Sequence, residues 1–240
     1  MAELKVFTFS PAWGLRSSGP FAMKLLKWLD LAGLPFEQVI EDLPNKGPKG
    51  KNPWIEIDGE RIGDTEIIID LLARRTGYDI DAGLTAEQRA ISHAVRRMVE
   101  EHFHMILEWE LFVHPAGVAG ARDIAARSLP APLAGAAMAY MAGKFAKQLY
   151  ARGIARHAPD IIAAKARADL DAVEGVLGTK RFLVGDRLSM ADIATYGMLY
   201  PMARWPMRTP AAENIKSRPG LVAYLERVHE ARAELPAVAA

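Results

Sequence analysis

The chain has 240 residues, 50% of them apolar and 25% charged, and it contains no cysteine. At about 100–200 residues per domain that length allows one large domain or two modest ones, and the even composition excludes a disordered, collagen-like or low-complexity protein. Without cysteine there is no disulfide, zinc-thiolate site, iron–sulfur cluster or cysteine nucleophile, and 30 Lys+Arg against 29 Asp+Glu leave no basic excess for nucleic-acid phosphate.

The opening Met1-Ala2-Glu3-Leu4-Lys5 lacks a basic stretch followed by an apolar one, so no secretory leader is expected and the cytoplasm is the default compartment. Residues 4–9, rich in β-branched and aromatic side chains, predict a strand. Phe21, Leu25, Trp28, Leu29 and Ala32 then recur at helical spacing, with Lys24, Lys27 and Asp30 facing elsewhere. Gly33 stops that helix and Pro35 prevents its continuation. Residues 36–40 predict a second strand. Residues 54–57 and 60–62 flank Asp58-Gly59, the pair that most strongly signals a hairpin. Asp64-Thr65 caps a further helix with Ile68, Leu71 and Leu72 on its apolar face.

Residues 77–83 form a polar connector with glycines at both ends, and nothing beyond Thr85 has the pattern of a strand. Residues 87–112 predict one long helix with Arg96/Glu100 and Arg97/Glu101 as i,i+4 pairs, broken by Pro115 and Gly117. The longest apolar window, residues 131–143, is interrupted by Pro132 and closed by Lys144, well short of the roughly 20 residues a membrane span needs. Ile162, Ala166, Leu170, Val173 and Leu177 make a helical stripe ended by Gly178. Ser189-Met190-Ala191-Asp192 has the form of a capping box, and Leu188 with Ile193 supplies its hydrophobic staple, which assigns Asp192 to folding. The fold class is therefore an α/β N-terminal domain of order βαβ-ββα followed by an all-α C-terminal domain.

That order, with Asn52-Pro53 ahead of the third strand, resembles the glutathione transferase superfamily, whose first domain is thioredoxin-like. Ser17-Ser18-Gly19-Pro20-Phe21-Ala22 is similar to the family's catalytic turn, residues 47–53 to its loop before a cis-proline, Asp64-Thr65-Glu66 to its acid–serine glutathione contact, and residues 188–193 to its C-terminal capping box. Residues 147–157 and 182–186 resemble more narrowly the failed-axon-connections and metaxin-like branch. The resemblance implies a glutathione-binding domain over residues 1–78 and a helical domain over residues 85–240.

It also implies a chemistry. The glutathione thiol must ionise near neutral pH, and lowering its pKa by two units requires about 2.7 kcal/mol. A helix N-terminus supplies roughly 0.3–1 kcal/mol and a hydroxyl bonded to a charged group about 1.5–3 kcal/mol. Together they suffice. Ser18 is the first candidate for that hydroxyl and Ser17 the second, ahead of Pro20 at the helix start. Gly19 stands where cysteine-type relatives carry their nucleophile, which disfavours mixed-disulfide chemistry. Pro53 and the Trp54 backbone would pair with the cysteinyl unit as a strand edge pairs with a peptide. Lys51, and also Lys49, would meet the glycyl carboxylate, and Asp64-Thr65 the γ-glutamyl end. Trp13 and Phe21 would line the electrophile pocket.

Other signals are weaker. Gly50-Lys51 imitates a phosphate loop, but Asn45 and Asn52 break the pattern. Glu100, His104 and Glu108 align on one helical face with metal-ligand residue types, but no second helix matches them and no metal is expected. The role of the segment Arg152 to His157 is not legible, and a Ser-His-Asp hydrolase has no nucleophile-elbow motif. The expectation is a transferase that joins glutathione, as co-substrate and without a cofactor, to a small hydrophobic electrophile, working as a homodimer. The alternatives are a non-catalytic interaction module, or a ligand carrier using Trp13, Trp54 and Trp109.

Overall fold

The computed structural model describes residues 3–126 and 130–232; Met1 and Ala2 of the leader window lie outside them. The N-terminal third holds β1 (Lys5–Thr8), α1 (Pro20–Leu31), β2 (Glu37–Ile40), β3 (Trp54–Ile57), β4 (Glu60–Gly63) and α2 (Thr65–Thr76). The sheet order is β2-β1-β3-β4. β2 pairs parallel to β1 in the register Lys5↔Glu37, β3 antiparallel to β1 with Lys5↔Glu56, and β4 antiparallel to β3 with Trp54↔Gly63. This is the mixed sheet of a thioredoxin-like domain. Asp58 (φ 54°) and Gly59 (φ 79°) both occupy the left-handed region that a tight hairpin requires. On α2, Ile68, Ile69 and Leu72 are buried while Leu71 is only half-buried, so Ile69 takes the place expected for Leu71.

The remainder is helical: α3 (Ala86–Arg97), α4 (His104–Phe112), α5 (Pro115–Ala125), α6 (Ala131–Ala151), α7 (Pro159–Leu177), α8 (Met190–Arg204), α9 (Pro210–Lys216) and α10 (Pro219–Glu230). The expected helix over 87–112 is present, but its middle, Met98–Phe103, widens into π-helix between α3 and α4. Thr85 opens it with a capping box to Gln88. Pro115 does end α4, but Gly117 breaks nothing: it sits inside α5, where a Cβ would lie 1.7 Å from the Glu110 carbonyl oxygen. Gly117 is thus where α5 presses on the chain leaving α4. Among the described residues no helix is long and apolar enough to cross a membrane.

Asp192 is the polar hub of the helical part. Its carboxylate accepts from the Ser189 N–H (2.8 Å) and hydroxyl (2.6 Å), the Leu183 N–H (2.8 Å) and the Tyr224 hydroxyl (2.9 Å). Four donors offset its burial, as buried carboxylates require.

α1 is covered on two sides. Leu25, Leu26, Trp28 and Leu29 join Val6, Ile55, Ile57, Ile68 and Leu72 beneath the sheet, and Ile193 of α8 closes the same cluster. Met23 turns instead into the helical core. Lys24 and Lys27, expected to face away from the core, are buried. Lys24 Nζ donates to Glu100 Oε1 at 2.5 Å, and Lys27 Nζ donates to the carbonyls of His229 (2.8 Å) and Ala231 (2.6 Å) at the end of α10. These lysines point away from the sheet into the helical domain. Glu100 is therefore taken from its expected partner Arg96, which pairs with Glu66 on α2; the Arg97–Glu101 pair forms at 3.3 Å.

Candidate functional site

The loop from β1 to α1 is pinned before it reaches the helix. The Ser10 N–H and hydroxyl both donate to the Asp42 carboxylate (2.8 and 2.7 Å), the Ser18 N–H donates to the Ser10 carbonyl (3.0 Å), and Gln38 Nε2 donates to the Arg16 carbonyl (2.9 Å). The two candidate serines then separate. Ser17 is fully buried, and its Oγ accepts the Gly19 N–H at 3.2 Å. Ser18 is half-buried, and its hydroxyl makes no hydrogen bond with any described residue. It stands two residues before Pro20, at the open N-terminus of a helix of 12 residues. Gly19 has ordinary extended dihedrals (φ −89°, ψ 126°), so it is not there for its backbone. A Cβ at that point would touch the Phe9 ring at 3.0 Å, a contact that leaves little room for any side chain.

The Asn52–Pro53 peptide bond is cis. Asn52 Nδ2 donates to the Glu41 carbonyl, tying the loop to the end of β2. Behind the turn, Trp54 is 3% exposed, stacked on Phe7 with centroids 3.6 Å apart, and covered by the Arg61 guanidinium at 4.2 Å. Gly47 packs so closely that a Cβ would fall 2.6 Å from the Lys51 carbonyl oxygen and 2.8 Å from the Trp54 ring.

Asp64 caps α2, accepting the Glu66 N–H at 3.0 Å from a left-handed backbone (φ 87°). Its other oxygen lies 3.9 Å from Lys49 Nζ, so the cis-proline loop and the α2 N-terminus meet here. Thr65 is buried beside it. Glu66 is committed to Arg96 and Arg97 and so is held away from this end of the site.

The helical domain supplies the facing wall. Phe21, on the first turn of α1, meets the His104 ring edge-on with centroids 5.0 Å apart. His104 Nε2 and Glu108 Oε1 are 3.9 Å apart, and Arg152 Nη1 donates to Glu108 Oε2 at 3.1 Å. Burial, with the positive charges of Arg152 and Lys51, pushes the His104 pKa down to about 3. Burial raises that of Glu108 against the pull of the same two cations. Lys51 of the cis-proline loop is near enough for its charge to bear on both groups. Trp13 (φ 54°) packs edge-on against Trp205 of the helical core, with centroids 5.8 Å apart.

The structure thus places Ser18 at the N-terminus of α1, Phe21 against His104 of α4, and Lys49 of the cis-proline loop 3.9 Å from Asp64 at the start of α2. Ser17 is buried. Of the aligned Glu100, His104 and Glu108, the first is bound to Lys24, and the described residues hold no cluster of metal-ligating side chains. Arg152 was visible in the sequence only as part of a segment without a legible role. Its pairing with Glu108 depends on how α6 lies against α4. A separate cavity of about 620 Å³, lined by Arg16, Lys27, Asp30, Tyr196 and His229, lies on the other side of α1 and contains none of the predicted site residues.

Comparison with known proteins agrees with this architecture. Residues 20–117 match the glutathione S-transferase N-terminal domain and residues 166–228 the glutathione S-transferase C-terminal domain. The isoprene-epoxide–glutathione S-transferase of Rhodococcus sp. (strain AD45) is 29% identical over 95% of this chain and 98% of its own. Failed axon connections of Drosophila melanogaster is 28% identical over 94% of this chain, which spans 57% of that protein. Among solved structures, the beta-etherase LigF from Sphingobium sp. strain SYK-6 superposes with a TM-score of 0.64 at 20% identity, covering 95% of both chains. With family models on both domains and a transferase aligned almost end to end, the chain belongs to the glutathione transferase superfamily.

Proposed function

We propose that the protein conjugates the glutathione thiolate to a small hydrophobic electrophile, with Ser18 as the hydroxyl that stabilises the thiolate. The observation that carries this reading is the contrast at the α1 N-terminus: Ser18 has an unengaged, half-buried hydroxyl, while Ser17 is buried and occupied. The free N–H groups and dipole of α1 add to the hydroxyl, and together they reach the approximately 2.7 kcal/mol that a two-unit fall in thiol pKa demands. Pro53 and the Trp54 backbone hold the cysteinyl unit, Lys51 the glycyl carboxylate, Thr65 the γ-glutamyl carboxylate and Asp64 its ammonium. Phe21 and Trp13 line the electrophile side. Glutathione is co-substrate, no metal or organic cofactor takes part, and the working form is a cytoplasmic homodimer. The near end-to-end similarity to an isoprene-epoxide transferase supports a small electrophile.

A second reading, a non-catalytic interaction module, draws on the 28% identity with Failed axon connections and on the exposed Leu133, Tyr140 and Tyr150 of α6. Titration with glutathione separates the two. A ligand at 100 times its dissociation constant adds about 2.7 kcal/mol, which for a chain of this size raises Tm by roughly 5–10 °C. Saturable binding with turnover of an aryl halide is expected. No shift and no turnover at millimolar glutathione would overturn the catalytic reading.

A further inference from the structure

The cavity of about 620 Å³ on the other side of α1 holds a positive charge without a counter-charge. Lys27 lines it and is only 4% exposed. An ammonium has three N–H groups to give. Two go to the carbonyls of His229 and Ala231, at 2.8 and 2.6 Å. Among the described residues the third finds no acceptor, and no carboxylate pairs with the ammonium. Asp30 shares the lining but is taken by Arg16, whose Nη1 donates to its two oxygens at 3.0 and 2.8 Å. The Tyr196 hydroxyl and His229 Nδ1 are bonded to each other at 2.9 Å. Burial, and after it the positive charge of Arg232, brings the Lys27 pKa down to about 8. The rest of the lining is apolar, with Leu15, Leu26, Leu34 and Pro35 among it.

A buried ammonium is costly without an opposite charge, and a ligand can bring one. Lys27, Arg16 and Arg232 face a single acid, already engaged, so a cationic ligand has no partner here. A doubly charged phosphate would leave negative charge against apolar walls. We propose that this cavity binds an apolar monocarboxylate, one carboxylate oxygen accepting the third Lys27 N–H while the hydrocarbon part lies against Leu15, Leu26, Leu34 and Pro35. Such a charge-assisted bond is of the strong kind, and the volume lies within the roughly 300–1,000 Å³ of small-molecule sites. The lining includes none of the residues assigned to glutathione, so the inference stands apart from the conjugation reading.

The test is titration calorimetry with decanoate and with decanol, its uncharged counterpart. At pH 7 the wild type should bind one decanoate, and decanol about 10-fold more weakly or worse. Lys27 loses its proton near pH 8, whereas burial holds His229 below its ordinary value and Tyr196 above its own. Decanoate affinity should therefore fall about 10-fold between pH 7 and pH 9. Lys27→Met should level the two ligands, and Lys27→Arg should keep the preference for decanoate while losing the pH dependence. If Lys27→Met does not fold, the wild-type pH profile and Lys27→Arg decide. Equal affinity for the two ligands in the wild type, binding indifferent to pH, or no decanoate binding at millimolar concentration would overturn the proposal. Displacement of decanoate by S-hexylglutathione would place it in the cleft and overturn the proposal too, while supporting glutathione binding. Failure of S-hexylglutathione to bind counts against the conjugation reading alone.

Discussion

Ser17 and Ser18 are neighbours of the same chemical type, but they differ in burial and in hydrogen bonding. The Ser17 oxygen accepts the Gly19 amide at the helix entrance, so Ser17→Ala should cost about 1 kcal/mol of stability and leave the bound thiol's pKa where it was. On the proposed conjugation reading, Ser18→Ala should do the reverse. Losing a hydrogen bond to the thiolate raises the thiol pKa, so the pH–rate profile moves to higher pH and kcat at neutral pH drops about 10- to 100-fold, with little change in glutathione affinity. An unchanged profile would transfer the role to a backbone amide. Lys24 makes a second case. It is fully buried and its partner is Glu100, so Glu100→Leu leaves an uncompensated charge and should cost about 3–5 kcal/mol in urea denaturation. Adding Lys24→Met should recover much of that loss, because the second change removes the stranded ammonium. A double variant no better than the single one would show that the cost lies in packing.

At the level of elements, the contrast between α1 and α8 shows what the sequence made legible. The Asp58-Gly59 hairpin, the Asp64 cap and the Ser189–Asp192 box were readable because each depends on residues within a few positions of one another. The burial of Lys24 and Lys27 was not, since a lysine pointing away from a sheet has the same local pattern whether water or a second domain lies beyond it. The π segment at Met98–Phe103 was likewise hidden, because a wheel drawn at 3.6 residues per turn carries Arg96 to Glu100, whereas the structure gives Glu100 to Lys24 and Arg96 to Glu66. The surroundings of Phe21 were the least legible. They depend on α4 meeting the start of α1 and on Arg152, just past α6, reaching Glu108, and only the His104/Glu108 spacing hinted at that. Gly197 marks where α8 crosses α1. A Cβ there would lie 2.8 Å from the Pro20 carbonyl oxygen and 3.0 Å from the Lys24 Cβ. Alanine is the better helix former by about 1 kcal/mol, yet a backbone oxygen cannot give way. Gly197→Ala should therefore lower stability by about 1–3 kcal/mol, read as a lower urea midpoint. A raised midpoint would mean that the α1–α8 crossing yields.

The whole molecule is divided in sequence and joined in space. Among the described residues, strands end before α2 and helices dominate the rest. Yet α1 completes both cores: its Leu25 and Trp28 lie under the sheet, its Met23 in the helical cluster, and its Lys27 holds the carbonyls that end α10. The Asp81 carboxylate takes the Met190 N–H at 2.8 Å, and Gln88 Nε2 donates to the Val184 carbonyl at 2.7 Å, so the connector and the start of α3 are fastened to the segment that leads into α8. Opening one part exposes apolar surface and buried charge in the other, and the two should unfold together. A variant whose other tryptophans are phenylalanine, leaving Trp28, reports on α1 against the sheet, while far-UV circular dichroism is dominated by the helical part. The two urea curves should share one midpoint and one slope. A fluorescence midpoint clearly below the dichroism midpoint would show that the N-terminal domain opens on its own.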